Sequence, residues 1–166
     1  MSRFTKLGSF ALLVLIPAGL AFAARQAKAH KENARMKLIR STPIQVVDAI
    51  EPNLDFWEKK LGFARIAEVP PGAKQLDFVI LEKDGLGVML QTRKSIAEDL
   101  PSGASADDFK HNTTVMYMEV DSLEEAMRGL EGAPIVMKPV DRPYGMREMV
   151  VKDPSGYFVS FAQRIK

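Results

Sequence analysis

From residue 42 onward the chain alternates apolar and polar positions in short runs, each bounded by Gly, Pro, Asp or Asn. Period-two runs of this kind predict strands over 43–47, 64–69, 76–82, 86–92, 113–120, 134–140, 146–152 and 157–163. Two stretches break the alternation. Residues 51–61 place Leu54, Trp57 and Leu61 at three-to-four spacing, and 122–130 form a second short amphipathic stretch, so each predicts a helix with one apolar face. Gly62 ends the first helix. Phe56 and Trp57 are expected in the core rather than stacked on a ligand.

The turns repeat as well. Asp153-Pro154-Ser155-Gly156 is a hairpin turn. Pro154 presets one dihedral, Gly156 tolerates positive φ, and the Asp153 carboxylate can bond the backbone just beyond it. Lys83-Asp84-Gly85-Leu86 echoes it. Each hairpin follows a strand ending in Val-Asp, Val47-Asp48 in one case and Val120-Asp121 in the other, and then a helix. Asp48 to Asp84 is 36 residues and Asp121 to Asp153 is 32, so the two copies keep step apart from a short insertion. Each copy reads strand, helix, strand, strand, strand. The predicted fold is therefore α+β: two βαβββ modules forming a curved mixed or antiparallel sheet, with the helices on the outside. Residues 93–112 lie between the copies. A helical turn over 95–100 and a polar loop over 101–108 read as a linker between halves, with a lid as the alternative.

Composition changes the picture mainly at the front. Arg3 and Lys6 precede an apolar run from Leu7 to Ala24, and Ala21-Phe22-Ala23 fits a small-x-small cleavage site. This layout reads as a signal peptide or as a retained membrane anchor over residues 1–24, followed by a basic linker over 25–40 and a domain over 41–166. The expected location is outside the cytoplasm, either exported or anchored through residues 7–24. Residues 1–40 hold eight Lys and Arg against one Glu, whereas 41–166 hold fifteen against twenty Asp and Glu, giving +7 and −5. An acidic domain without a basic stripe argues against nucleic acid, and leaves the membrane a partner only of the N-terminal segment. There is no cysteine, so thiolate catalysis, disulfides and Cys-type metal sites are excluded.

Val47-Asp48, Phe56-Trp57, Leu61-Gly62-Phe63, Tyr144-Gly145-Met146-Arg147-Glu148 and Asp153-Pro154-Ser155-Gly156-Tyr157 together resemble the vicinal oxygen chelate superfamily, over about residues 42–163. That group includes glyoxalase I, extradiol dioxygenases, and fosfomycin- and bleomycin-resistance proteins. The resemblance implies paired βαβββ modules curling around a cavity, often completed by a homodimer. It also implies a divalent metal held from the first, fourth, fifth and eighth strands. Carried onto this chain, those positions fall near Ser41, Gln91, Val115 and Ser160, while His30 and His111 lie elsewhere. One amide and two hydroxyls make a poor site for zinc, nickel or iron, so no cofactor is expected.

Strand alternation then sorts the cavity-facing positions. Phe158 and Ser160 are expected inside with Val159 and Phe161 under a helix; Gln91 inside with Val88 and Leu90 under the other; Val115, Tyr117 and Glu119 inside together; Glu148 inside with Met149 and Val151 outside. The candidate ligand-binding residues are Gln91, Tyr117, Glu119, Tyr144, Arg147 and Ser160, with Tyr144 and Arg147 at the rim. Glu148, a carboxylate in an apolar cup, is the candidate general base; the alternative is that Arg147 or Lys152 simply pairs with it. Three functions follow: a binder of a small organic molecule in a metal-free cavity, a glyoxalase-like lyase, isomerase or dioxygenase using Glu148 with an atypical divalent-metal site, or a non-catalytic exported interaction module.

Overall fold

The structure is a computed structural model that describes residues 36–100, 104–111 and 113–165, all within a unit spanning Arg35–Lys166. The expected leader, the N-terminal part of the basic linker and the first residues of the 101–108 loop lie outside the described residues. Among the described residues no helix is long and apolar enough to cross a membrane.

Eight strands form one curved, open sheet: β1 (Leu38–Val47), β2 (Ala64–Val69), β3 (Phe78–Lys83), β4 (Leu86–Thr92), β5 (Thr114–Val120), β6 (Ile135–Arg142), β7 (Met146–Lys152) and β8 (Phe158–Arg164). Their order is β2-β3-β4-β1-β5-β8-β7-β6. Read outward from the centre, the two halves repeat each other. Each has its first strand parallel to its fourth, β1 with β4 and β5 with β8, and then an antiparallel meander. The modules join within the chain through the antiparallel pair β1 and β5, where Ile44 lies opposite Val115 and Thr42 opposite Tyr117. β1 begins at Leu38, earlier than the expected domain boundary, because its first turn of chain still pairs with Val120.

Turn chemistry fixes both hairpins. Asp84 and Gly85 both have positive φ, 52° and 78°, which is the two-residue turn whose twist matches the flanking strands. In the second hairpin the Asp153 Oδ1 accepts from the backbone N–H groups of Ser155 and Tyr157 at 2.9 and 2.8 Å, and Gly156 takes a φ of 88°.

Period-two alternation divides the sheet into two buried faces. On the convex face, α1 packs Leu54 and Trp57 over Val79, Leu81, Val88 and Leu90. α1 opens as an α-helix (Glu51–Leu54) and continues as a π-helical stretch (Asp55–Lys60). The wider turn ends with the Leu61 N–H donating to the Phe56 carbonyl at 3.1 Å. Because i-to-i+5 bonding abandons the 3.6-residue period, the predicted face is only partly buried: Trp57 packs on Phe63, while Phe56 is 49% and Leu61 38% exposed. The expectation that Phe56 belongs to the core is corrected accordingly. On the second module, α3 (Leu123–Gly129), capped by Ser122, sets Leu123 and Ala126 on Met149, Val151 and Phe161.

The helical turn expected over 95–100 is a third helix, and it lies inside the cup rather than in a linker. α2 (Arg93–Asp99) is capped by Thr92, whose hydroxyl accepts from the Ser95 N–H at 3.2 Å. It is followed by a 3-10 turn (Ala106–Phe109). Ile96, Leu100 and Phe109 pack among Ile44, Val46, Val115, Val150 and Phe158 on the concave face. Two helices therefore cover the outside, and the segment read as a linker fills part of the inside.

Candidate functional site

Between α2 and the concave face lies a cavity of about 720 Å³. Ile44, Ile80, Met89, Val115, Met137 and Val150 give it an apolar lining. Hydrogen bonds join Tyr117 on β5, Glu148 on β7, Tyr144, Arg142 on β6, Asp99 and Ser95 on α2 and Gln91 on β4 into one polar wall, while Glu119, Ser160 and Arg164 also line the cavity.

Glu148 is at the centre of that wall and is 5% exposed. Its Oε1 accepts from the Tyr117 hydroxyl at 2.7 Å and from the Tyr144 hydroxyl at 2.9 Å, and its Oε2 accepts from Arg142 Nε at 3.2 Å. Arg142 Nη2 also donates to the Asp99 carbonyl at 3.2 Å, which ties the end of α2 to β6. Asp99 in turn accepts from Gln91 Nε2 at 2.7 Å, and the same Nε2 donates to Ser95 Oγ at 3.1 Å. One chain of polar contacts thus runs from the two phenols through Glu148, Arg142 and Asp99 to Gln91.

The structure brings Gln91, Tyr117, Glu119, Tyr144, Glu148 and Ser160 to this cavity. Arg147 is not among them. It lies on the convex side with Met149 and Val151, because it alternates with Glu148, and its guanidinium forks onto Asp141 at 2.5 and 2.9 Å. Neither Arg147 nor Lys152 pairs with Glu148, since Lys152 reaches Asp108 at 3.0 Å. The partner is Arg142, which sequence reading passed over as part of a turn. β6 is irregular between Ile135 and Met137 and again between Met137 and Val140. Each irregularity breaks period-two counting, so no count along β6 reports that Arg142 and Met137 reach the same cavity. Asp99 lies in the expected helical turn, but that stretch reads as a linker in the sequence, whereas it packs on the concave face.

The four superfamily ligand positions do not supply a metal site. Ser41 is exposed, while its neighbours Thr42, Ile44 and Val46 are the buried residues of β1. Gln91 is bonded into α2, Val115 offers no donor atom, and Ser160 offers a hydroxyl. Among the described residues no three His, Asp or Glu side chains gather where they could hold a metal ion. This donor set does not fit zinc, nickel or iron, which prefer imidazole and carboxylate.

Burial, then the charge and hydrogen bond of Glu148, push the Tyr117 phenol well above the usual tyrosine range. Tyr144 is pushed the same way by the same causes; its ring edge is exposed, but its hydroxyl is turned inward. Both are held as donors at neutral pH. A phenol whose folded pKa is raised keeps its proton after the unfolded chain has lost its own, so the unfolded state binds fewer protons above about pH 10. Stability contributed by Tyr117 is therefore full below that pH and falls by about 1.4 kcal/mol per unit as pH rises above it. Denaturant titrations between pH 9 and 11.5 are expected to show a steeper fall in the wild type than in Tyr117→Phe, where Tyr144 still contributes its own share; equal slopes would refute it.

A pair of βαβββ modules joined edge to edge around a cup defines the glyoxalase-type architecture. The family model for the Glyoxalase/Bleomycin resistance protein/Dioxygenase superfamily matches residues 40–161, and the chain belongs to that superfamily. Among solved structures it is similar to a member of the superfamily from Vibrio splendidus 12B01, at 25% identity and a TM-score of 0.56, covering 76% of this chain and 99% of that one. A protein from Bacillus halodurans C-125 (18% identity, TM-score 0.58, 80% and 96% covered) shares the fold. Methylmalonyl-CoA epimerase from Mycobacterium tuberculosis (14%, 0.56, 75% and 87%) does so too. No protein with a curated description matches the chain in sequence.

Proposed function

We propose that the domain binds a small organic molecule in its concave cavity without a divalent metal. The observation that carries this reading is the cavity itself: about 720 Å³, apolar over most of its lining, with a hydrogen-bonded cluster of polar groups around Glu148. Ligand sites are commonly built in this way, apolar surface giving affinity and a few fixed polar groups giving orientation. The phenols and Arg142 already converge on Glu148, so the wall is ordered before any ligand arrives.

The test uses the full chain and the fluorescent probe 1-anilinonaphthalene-8-sulfonate. Saturable one-to-one binding is expected, together with its loss in Ile80→Trp, where a half-buried wall residue is enlarged into the cavity. Elemental analysis and thermal shifts with zinc, nickel, manganese and iron(II) run alongside. A stoichiometric metal that disappears in Gln91→Ala would overturn the metal-free reading.

A second reading, a lyase or isomerase, is favoured by one observation: a buried carboxylate lines the cavity. For Glu148 to take a proton from a ligand, a phenol must first release Oε1, since two already donate to it. Catalysis predicts that Glu148→Gln abolishes turnover of a bound ligand while preserving its affinity.

A further inference from the structure

Two charged side chains of the cavity lining have no ion-pair partner among the described residues: Glu119, half-buried on β5, and Arg164, exposed on β8. The other charged groups of the lining are engaged, Glu148 with Arg142 and Asp99 with Arg142 and Gln91. Arg40 lies opposite Glu119 in the strand register, but its guanidinium is directed to Glu82 at 3.4 Å.

β5 and β8 run parallel, with Glu119 opposite Ala162. Arg164 follows two residues later on the same face of β8. From a strand spacing of about 4.8 Å and a rise of about 3.3 Å per residue, the two backbone positions are roughly 8 Å apart. The residue between them, Ala162, carries only a methyl group. One step deeper on that face is Ser160, 5% exposed, whose hydroxyl has no side-chain hydrogen-bond partner among the described residues. Buried hydroxyls normally have partners, because an unpaired one carries its full desolvation cost. An unpartnered hydroxyl aimed into a cavity marks where a ligand's polar atom belongs.

We propose that the cavity takes a small zwitterion with an apolar body. Its ammonium group meets Glu119 and its carboxylate meets Arg164 above Ala162, while its body enters the apolar cup with a polar atom at Ser160. This inference rests on the small-molecule reading above and narrows it to a ligand class. No bond is made or broken; the selectivity comes from two opposite charges held apart on adjacent strands, which a ligand bearing one charge satisfies only by half.

Four probes sharing one body separate the contributions in calorimetry on the full chain: L-tyrosine, tyramine, 3-(4-hydroxyphenyl)propionate and 4-ethylphenol. Charge-assisted hydrogen bonds predict that L-tyrosine binds about tenfold or more tighter than 4-ethylphenol, with the two singly charged probes between them. Glu119→Gln is expected to remove the advantage of tyramine over 4-ethylphenol, Arg164→Gln that of the propionate, and Ser160→Ala to weaken all four. Both charge variants alter exposed or half-exposed positions and are checked for an unchanged melting temperature. Equal affinities for the four probes would overturn the zwitterion proposal and leave the cavity reading standing, as would charge-dependent binding that neither charge variant alters. Failure of all four probes to bind, L-tyrosine included, would overturn the zwitterion proposal, and failure of the anilinonaphthalene-sulfonate probe as well would overturn both.

Discussion

Replacing Arg142 by methionine is expected to destabilise the domain by about 3 kcal/mol, the lower end for breaking a buried ion pair, because the arginine keeps some contact with solvent. The mechanism is the carboxylate left behind. Glu148 is nearly fully buried, and without Arg142 its Oε2 loses its hydrogen-bond donor and its charge loses its partner. The same substitution removes the donor to the Asp99 carbonyl, so the end of α2 loses its tie to β6. Thermal denaturation is expected to show a fall of about 10 °C. Amide exchange is expected to rise selectively over 93–100. Combining Arg142→Met with Glu148→Gln should recover part of the loss, since removing both charges is far less costly than stranding one. The comparison is Arg147→Met, which breaks an exposed pair with Asp141 and should cost under about 1 kcal/mol. Equal losses from the two arginine substitutions would show that the Glu148 cluster contributes nothing special.

Phe109→Ala is expected to cost about 3–5 kcal/mol, the range for removing a fully buried aromatic side chain. Phe109 is 0% exposed and stacks on Phe158 with ring centroids 4.8 Å apart. Arg93 donates to its carbonyl, which holds the 3-10 turn in place even when the ring is gone. The surroundings are therefore poorly able to collapse into the space, and the upper half of the range applies. Urea unfolding measures this directly. A loss below about 1 kcal/mol is the result a solvated linker would give, and would refute the packing of Phe109 on the concave face.

These two predictions involve residues that sequence reading valued least, and the reasons are physical. Within a module, local rules suffice. Period-two alternation put Ser160 and Phe158 on one face of β8 and Val159 and Phe161 on the other, and it did the same for β4, β5 and β7. Asp-Gly and Asp-Pro-Ser-Gly carry their turns in their own backbone preferences. Where periodicity is broken, that kind of counting loses its phase. The π-helical stretch after Leu54 exposes Phe56, and the irregular β6 carries Arg142 to the wall that Arg147 was expected to reach. Arg147 itself was a misapplied rule, since residues adjacent in a strand cannot both face inward.

By itself the sequence determined the strands, the two hairpins, the repeat of βαβββ modules and the inward set Gln91, Tyr117, Glu119, Glu148 and Ser160, because each depends on residues close together in the chain. Tertiary structure alone decided that β1 and β5 join the modules, that α2 and Phe109 fill one part of the cup, and that Arg142 and Asp99 complete the polar wall around Glu148. Most of those contacts link residues tens of positions apart, and the nearest, Arg142 to Glu148, depends on the irregular course of β6. Nothing in local periodicity or turn chemistry encodes them; they follow from which apolar surfaces remain to be buried once the modules have formed.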